Sequence, residues 1–138
     1  MNGDGSADIV GFGQAGVYVS LATGGGHFAM PTFELAAFGA GAGAGGWTSQ
    51  DLYPRTLADV NGDGMADIVG FGAEVVSVSL ATGGGHFASP TSQLLPFSPS
   101  FGGWSSDTTY PRQLADINGN GTADIVGFAS NGVWTSPH

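Results

Sequence analysis

Asp59, Asn61, Asp63 and Asp67 put oxygen-bearing side chains at positions 1, 3, 5 and 9 of one short loop, in the stretch DVNGDGMADIVGFG. Met65, at position 7, can add only its backbone carbonyl. All-oxygen donors at alternate positions suit a hard cation, and Gly62 and Gly64 allow the backbone turns that would converge them. Gly70 stands at position 12, where an EF-hand carries glutamate, so this is not an EF-hand. Several carboxylates in a flexible cage favour Ca2+ over Mg2+, in a structural role. The competing reading is a plain Asn-Gly or Asp-Gly turn, which by itself has no use for Asp59 or Asp67.

The loop recurs. Asp116, Asn118, Asn120, Thr122 and Asp124 repeat it with one carboxylate fewer, and Asn2, Asp4, Ser6 and Asp8 repeat it without the first ligand. Of the chain's 11 acids, seven lie in these loops. Without a cation their mutual repulsion is expected to oppose the turns.

A second recurring set is aromatic. Trp47, Tyr53 and Arg55 return as Trp104, Tyr110 and Arg112, and His27 returns as His86 after three glycines. One reading packs the aromatics between sheets and ties a strand end with arginine. The other lines a shallow pocket with Trp or Tyr against the apolar face of a sugar, with Arg, Asp or His meeting its hydroxyls. No histidine sits beside a nucleophile or paired carboxylate, and a repeated constellation argues for repeated binding sites over a single catalytic one. GFGQAG at 11–16 matches a dinucleotide fingerprint in letters. A strand-like segment follows it, however, and a strand has no helix N-terminus to offer a pyrophosphate.

These residues are set out by an internal repeat. NGDGSADIVGFG begins at Asn2, NGDGMADIVGFG at Asn61 and NGNGTADIVGFA at Asn118, offsets of 59 and 57 residues, and GGW…YPR…LAD fills the remainder from Gly45 and Gly102. Each period predicts four short strands: Tyr53 to Val60, ADIVGFG, the alternating VVSVSLAT and HFASPTSQLLPF, separated by glycine and proline. With 26 glycines, 7 prolines and only two basic residues the composition opposes long helices. The expectation is an all-β chain of propeller blades, each of four antiparallel strands. It amounts to about two and a half blades as a single repeat domain: a partial blade at 1–46, a full one at 47–103 and a partial one at 104–138.

A net charge of −9 at pH 7 makes nucleic acid and anionic membranes poor partners. The chain has no cysteine for disulfide or thiol chemistry, and no 18-residue apolar run that would span a membrane. The first residues lack the pattern of a signal peptide, which leaves the compartment undetermined.

The order GGW, YPR, LAD, NGDG, ADIVGFG resembles the FG-GAP or VCBS repeat as it occurs in the Psathyrella velutina lectin group. The resemblance covers almost the entire chain. It implies a seven-bladed propeller with loop-bound calcium and pockets between blades for terminal N-acetylglucosamine, with sialic acid also accepted. An integrin-type protein-interaction propeller shares the calcium loop and is the alternative. The family usually has histidine where Tyr53 and Tyr110 stand and often arginine where Thr48 and Ser105 stand. Seven blades of about 58 residues need about 406, so 138 residues imply self-association. Three copies come close to seven blades and are the favoured count, with two copies, close to five, next.

Overall fold

The computed structural model describes residues 1–138 and contains strands, turns and one 3-10 turn at Ala42–Ala44. The first copy supplies β1 (Ile9–Phe12), β2 (Val17–Ser20), β3 (Ala22–Gly24), β4 (His27–Phe28) and β5 (Thr32–Leu35). The second supplies β6 (Arg55–Ala58), β7 (Asp67–Phe71), β8 (Val76–Ser79), β9 (Ala81–Gly83), β10 (His86–Phe87) and β11 (Thr91–Gln93). The third supplies β12 (Arg112–Ala115), β13 (Asp124–Ala129) and β14 (Gly132–Ser136).

Three antiparallel sheets result, in the orders β1-β2-β5, β11-β8-β7-β6 and β12-β13-β14. The middle sheet is a complete four-stranded blade with Ile68 opposite Ser79 and Phe71 opposite Val76. The fold is thus all-β, an open arc of propeller blades. The segment HFASPTSQLLPF departs from the expected single strand. Its first two residues form the flap hairpin β9–β10, Pro90 lies between them and β11, and Leu94 to Phe97 leave the sheet. Proline cannot donate to a ladder, so the strand is cut there.

Two apolar clusters lie where successive sheets face one another. Val17, Val19, Phe38, Trp47, Ile68, Ala81 and Phe87 form the first. Val60, Val69, Phe71, Val76, Phe97, Trp104 and Ile125 form the second. Alternation along each strand produces both, since one set of side chains meets the preceding sheet and the other the following one. The third sheet has no following sheet. Its Phe128 and Val133 are 41% and 62% exposed where their counterparts Phe71 and Val76 are 0% and 2%. Ile9 and Phe28 are exposed on the opposite end of the arc, where Ile68 and Phe87 are buried in the middle.

Candidate functional site

In the middle acidic loop, Asp59 Oδ1 accepts the N–H of Gly62 at 2.6 Å and its Oδ2 that of Gly64 at 2.8 Å. Asp63 accepts from Met65 N and Asn61 Nδ2. Asp67, fully buried at the start of β7, accepts Ala81 N at 2.7 Å and Val60 N at 3.0 Å. The third loop repeats this pattern, Asp116 receiving Gly119 and Gly121 and Asp124 receiving Ile117 and His138. In the first loop Asp4 takes Ser6 N, and Asp8 takes Ala22 N and the chain's amino terminus.

Asp59 and Asp67 therefore have roles in the turn that need no ion. This corrects the sequence argument that turn-making leaves them idle. Backbone N–H groups supply the positive ends that offset the clustered charge. Burial pushes Asp59 up, but the N–H bonds from Gly64, Gly62 and Asn61 outweigh it and hold the carboxyl below its ordinary range. Burial dominates at Asp67, and repulsion from Asp63 and Asp59 adds to it, so its pKa is raised.

The donor set remains all-oxygen, and Asp59 Oδ2 and both oxygens of Asp67 accept one hydrogen bond each, which leaves each a second lone pair. No three acidic or imidazole side chains stand close enough to hold a metal by themselves. The amide oxygen of Asn61 and the carbonyl of Met65 would have to complete a cation site, and the kind of donors present fits calcium.

The aromatic set is repeated faithfully. Phe38, Trp47 and Tyr53 stack in sequence, with centroids 5.3 Å and 6.3 Å apart, and Phe97, Trp104 and Tyr110 do so at 5.5 Å and 6.4 Å. Each indole lies across a glycine of the central strand. A Cβ at Gly70 would come within 2.7 Å of Trp47, and one at Gly127 within 2.4 Å of Trp104. The indoles are accordingly core residues, 9% and 2% exposed, and present an edge to solvent.

Beside them open two clefts at equivalent places. Trp47, Tyr53, Ala73, Glu74 and Val75 line one of about 360 Å³. Trp104, Tyr110, Ser130, Asn131 and Trp134 line one of about 250 Å³. These sit at the small end of ligand clefts.

Arg55 and Arg112, expected to meet sugar hydroxyls, line neither cleft. Arg55 donates through one terminal nitrogen to the Phe38 carbonyl at 2.7 Å and lies 5.1 Å over the Phe12 ring of the preceding sheet. Arg112 donates to the Phe97 carbonyl at 3.1 Å, pairs with Asp107 at 3.3 Å and lies 5.4 Å over Phe71. Burial lowers the pKa of both, with Asp107 opposing it at Arg112. Each arginine is thus a clasp between sheets, held by a carbonyl and an aromatic face at the junction, with Gln50 Oε1 also accepting from Arg55 Nε at 3.1 Å. The histidines are also outside the clefts. His86 pairs with Glu34 at 2.6 Å across the first two copies, and His27 is exposed at the end of its flap.

Sequence reasoning missed Trp134, Asn131 and Glu74. Trp134, 47% exposed, is the available indole face, and its Nε1 donates to Asn131 Oδ1 at 3.0 Å. The signal was a single-copy change: Tyr18, Ser77 and Trp134 hold the same repeat position.

Residues 59–127, half the chain, match the family described as FG-GAP-like repeat. Among solved structures, the chain is similar to an Agrocybe aegerita lectin described for specific recognition of non-reducing terminal N-acetylglucosamine. The match has 45% identity and a TM-score of 0.86, over 96% of this chain and 32% of that one. It is similar in fold to TcdB2-TccC3-TEV, at 24% identity and a TM-score of 0.71 over 99% of this chain and 6% of that one. The Photorhabdus luminescens Tc holotoxin pore is likewise similar in fold, at 23% and 0.69 over 96% and 6%. The chain spans about a third of the lectin's length. No curated protein matches it.

Proposed function

The chain belongs to the FG-GAP-like repeat family, and from that footing we propose that it is a non-enzymatic carbohydrate-binding protein. Terminal N-acetylglucosamine would be held in the clefts at Tyr53 and Tyr110. The observation that carries this reading is the 45% identity, over 96% of the chain, with a lectin described for that sugar. The two clefts support it, since paired weak sites gain by multivalency on a surface bearing many sugar ends. Both are small and set aromatic side chains beside polar ones, Trp47 and Tyr53 with Glu74 in one and Trp104, Tyr110 and Trp134 with Ser130 and Asn131 in the other, as a sugar with one apolar face requires. A glycan array tests the reading. Binding to N-acetylglucosamine-terminated glycans, competed by the free sugar, is expected. A folded protein that binds no glycan would instead favour the integrin-like role of docking a protein.

Structural calcium is the second part of the proposal. Asp59, Asp63, Asp67, Asn61 and the Met65 carbonyl would hold it in the middle loop, and Asp116, Asn118, Asn120, Thr122 and Asp124 in the third. A bound cation would supply charge compensation beyond that of the backbone N–H groups. Binding to the folded state alone raises stability by mass action, so calcium should raise the melting temperature and EDTA lower it. Equal melting curves with and without calcium would remove calcium from the proposal.

Self-association is the third part. The uncovered Phe128 and Val133 face and the uncovered Ile9 and Phe28 face carry repeat positions whose counterparts in the middle copy, Phe71, Val76, Ile68 and Phe87, are buried. Copies of the chain are the partners whose matching faces are at hand.

A further inference from the structure

We infer that the two clefts select sugars by charge: the Tyr53 cleft takes neutral saccharides only, and a carboxylate-bearing sugar is accepted at the Tyr110 cleft alone. This rests on the sugar-binding reading above and assigns each cleft its class of ligand.

The two clefts share their buried parts and differ at their rims. The indole edge, the tyrosine and the turn between the second and third strands recur in both. At the turn, Glu74 occupies the place that Asn131 holds in the next copy. Glu74 is exposed and takes part in none of the chain's ion pairs, so its charge faces whatever enters the cleft. No positive side chain offsets it. The chain's two arginines are engaged between sheets and there is no lysine. A carboxylate arriving at the Tyr53 cleft therefore meets a like charge with no counter-charge.

At the Tyr110 cleft the same place is neutral. The Asn131 carbonyl oxygen is taken by the Trp134 indole N–H, which leaves the amide nitrogen's two N–H groups as donors. Donors of that kind can bond a carboxylate as readily as a hydroxyl. Trp134 adds an aromatic face against which the apolar side of a sugar ring can lie. The corresponding Ser77 has no such surface: it is buried and bonded to Ser92 Oγ at 2.9 Å. The repeat has thus produced two different clefts from one frame, with Glu74 against Asn131 and Ser77 against Trp134 among the positions that differ.

The test uses the chain's three tryptophans as reporters, Trp47 in one cleft and Trp104 with Trp134 in the other. The full chain is titrated with methyl β-N-acetylglucosaminide and with the methyl glycoside of N-acetylneuraminic acid while the indole N–H resonances are followed. The neutral sugar should move the signals of both clefts, and the anionic sugar only those of Trp104 and Trp134. Glu74→Gln should extend the anionic response to Trp47, with an affinity gain there of about tenfold, or about 1.4 kcal/mol. Asn131→Asp should weaken the anionic sugar at Trp104 and Trp134 by about as much, and should weaken it more than the neutral sugar, which loses the same two N–H donors but meets no like charge. Both positions are exposed and outside the core, so the fold should be kept. Raising the ionic strength should narrow the wild-type difference between clefts.

Anionic sugar that shifts Trp47 in the wild type overturns the inference. So does a Glu74→Gln protein whose Trp47 ignores that sugar, or an Asn131→Asp protein that binds it undiminished. In those cases the neutral sugar still moves both sets of signals, and the lectin reading stands. If neither sugar moves any indole, the lectin reading itself fails and takes this inference with it.

Discussion

At the residue scale, Asp67 shows how geometry can outweigh electrostatic cost. Its carboxylate is buried and pushed up in pKa, yet it accepts two backbone N–H groups from separate segments, Val60 and Ala81. Asp67→Asn removes the charge but sets an amide NH2 against one of those donors. A loss of about 1–3 kcal/mol in chemical denaturation is expected, the cost of a buried group left unpaired. A neutral or stabilised variant would mean that relief of charge repulsion dominates. The pH dependence has the opposite balance. Asp4, Asp8, Glu34, Asp51, Asp59 and Asp116 all have lowered pKa values. A depressed carboxylate pKa gives stability that is present above the unfolded value and lost as pH falls through the folded one. Asp67, being raised, contributes in the other sense, its stabilisation lost as pH rises. Six against one, the melting temperature should fall as the pH is lowered from about 5 to 3. The acidic loops were legible in the sequence because their residue types and spacing are local. That backbone N–H groups already satisfy Asp59 and Asp67 was not, since Ala81 lies 14 residues from Asp67.

At the element scale, the central glycine of ADIVGF is the seat of an indole. Gly127→Ala would drive a methyl group into Trp104, and overpacking of this kind costs about 1–3 kcal/mol. The same change at Gly70 acts on Trp47 and Phe38. Both variants should melt lower than the wild type, and an unchanged melt would show that the indole can slide without cost. The strand β8 could be read from alternation, and β6 and β7 from short runs bounded by glycine- and proline-rich turns, whereas β11 shrank to three residues because a proline interrupts its approach. Neither the seat nor the clasp made by Arg55 and Arg112 has a local pattern. Arg112 reaches back 15 residues to the Phe97 carbonyl and 61 to that of Asp51, and such contacts exist only once the sheets have met. Trp47 and Trp104 were legible as repeated aromatics, with packing between sheets one of two readings of them, and Trp134, present in one copy, had no repeat to announce it.

At the scale of the whole molecule, the arc holds three sheets with a face uncovered at each end. A ring built from entire copies counts its sheets in threes, and propellers commonly have about four to eight blades. Two copies satisfy that range with six sheets, whereas the three copies that the residue count favours would give nine. Light scattering should therefore report about twice the 13.7 kDa of one chain. Phe128→Asp with Val133→Asp should shift it toward one chain by placing charge on an apolar junction. A stable single-chain mass for the unaltered protein would show that the open faces tolerate water.

The placement of the two arginines has a consequence for proteolysis. Trypsin cuts after lysine and arginine, and here it has two targets, each at the first residue of a strand and clasped between sheets. The folded protein should resist it for as long as the sheets stay together. Once they part, cleavage should yield pieces 1–55, 56–112 and 113–138, close to one repeat unit apiece for the first two. Digestion followed by mass spectrometry would thus time the separation of the sheets at two named seams.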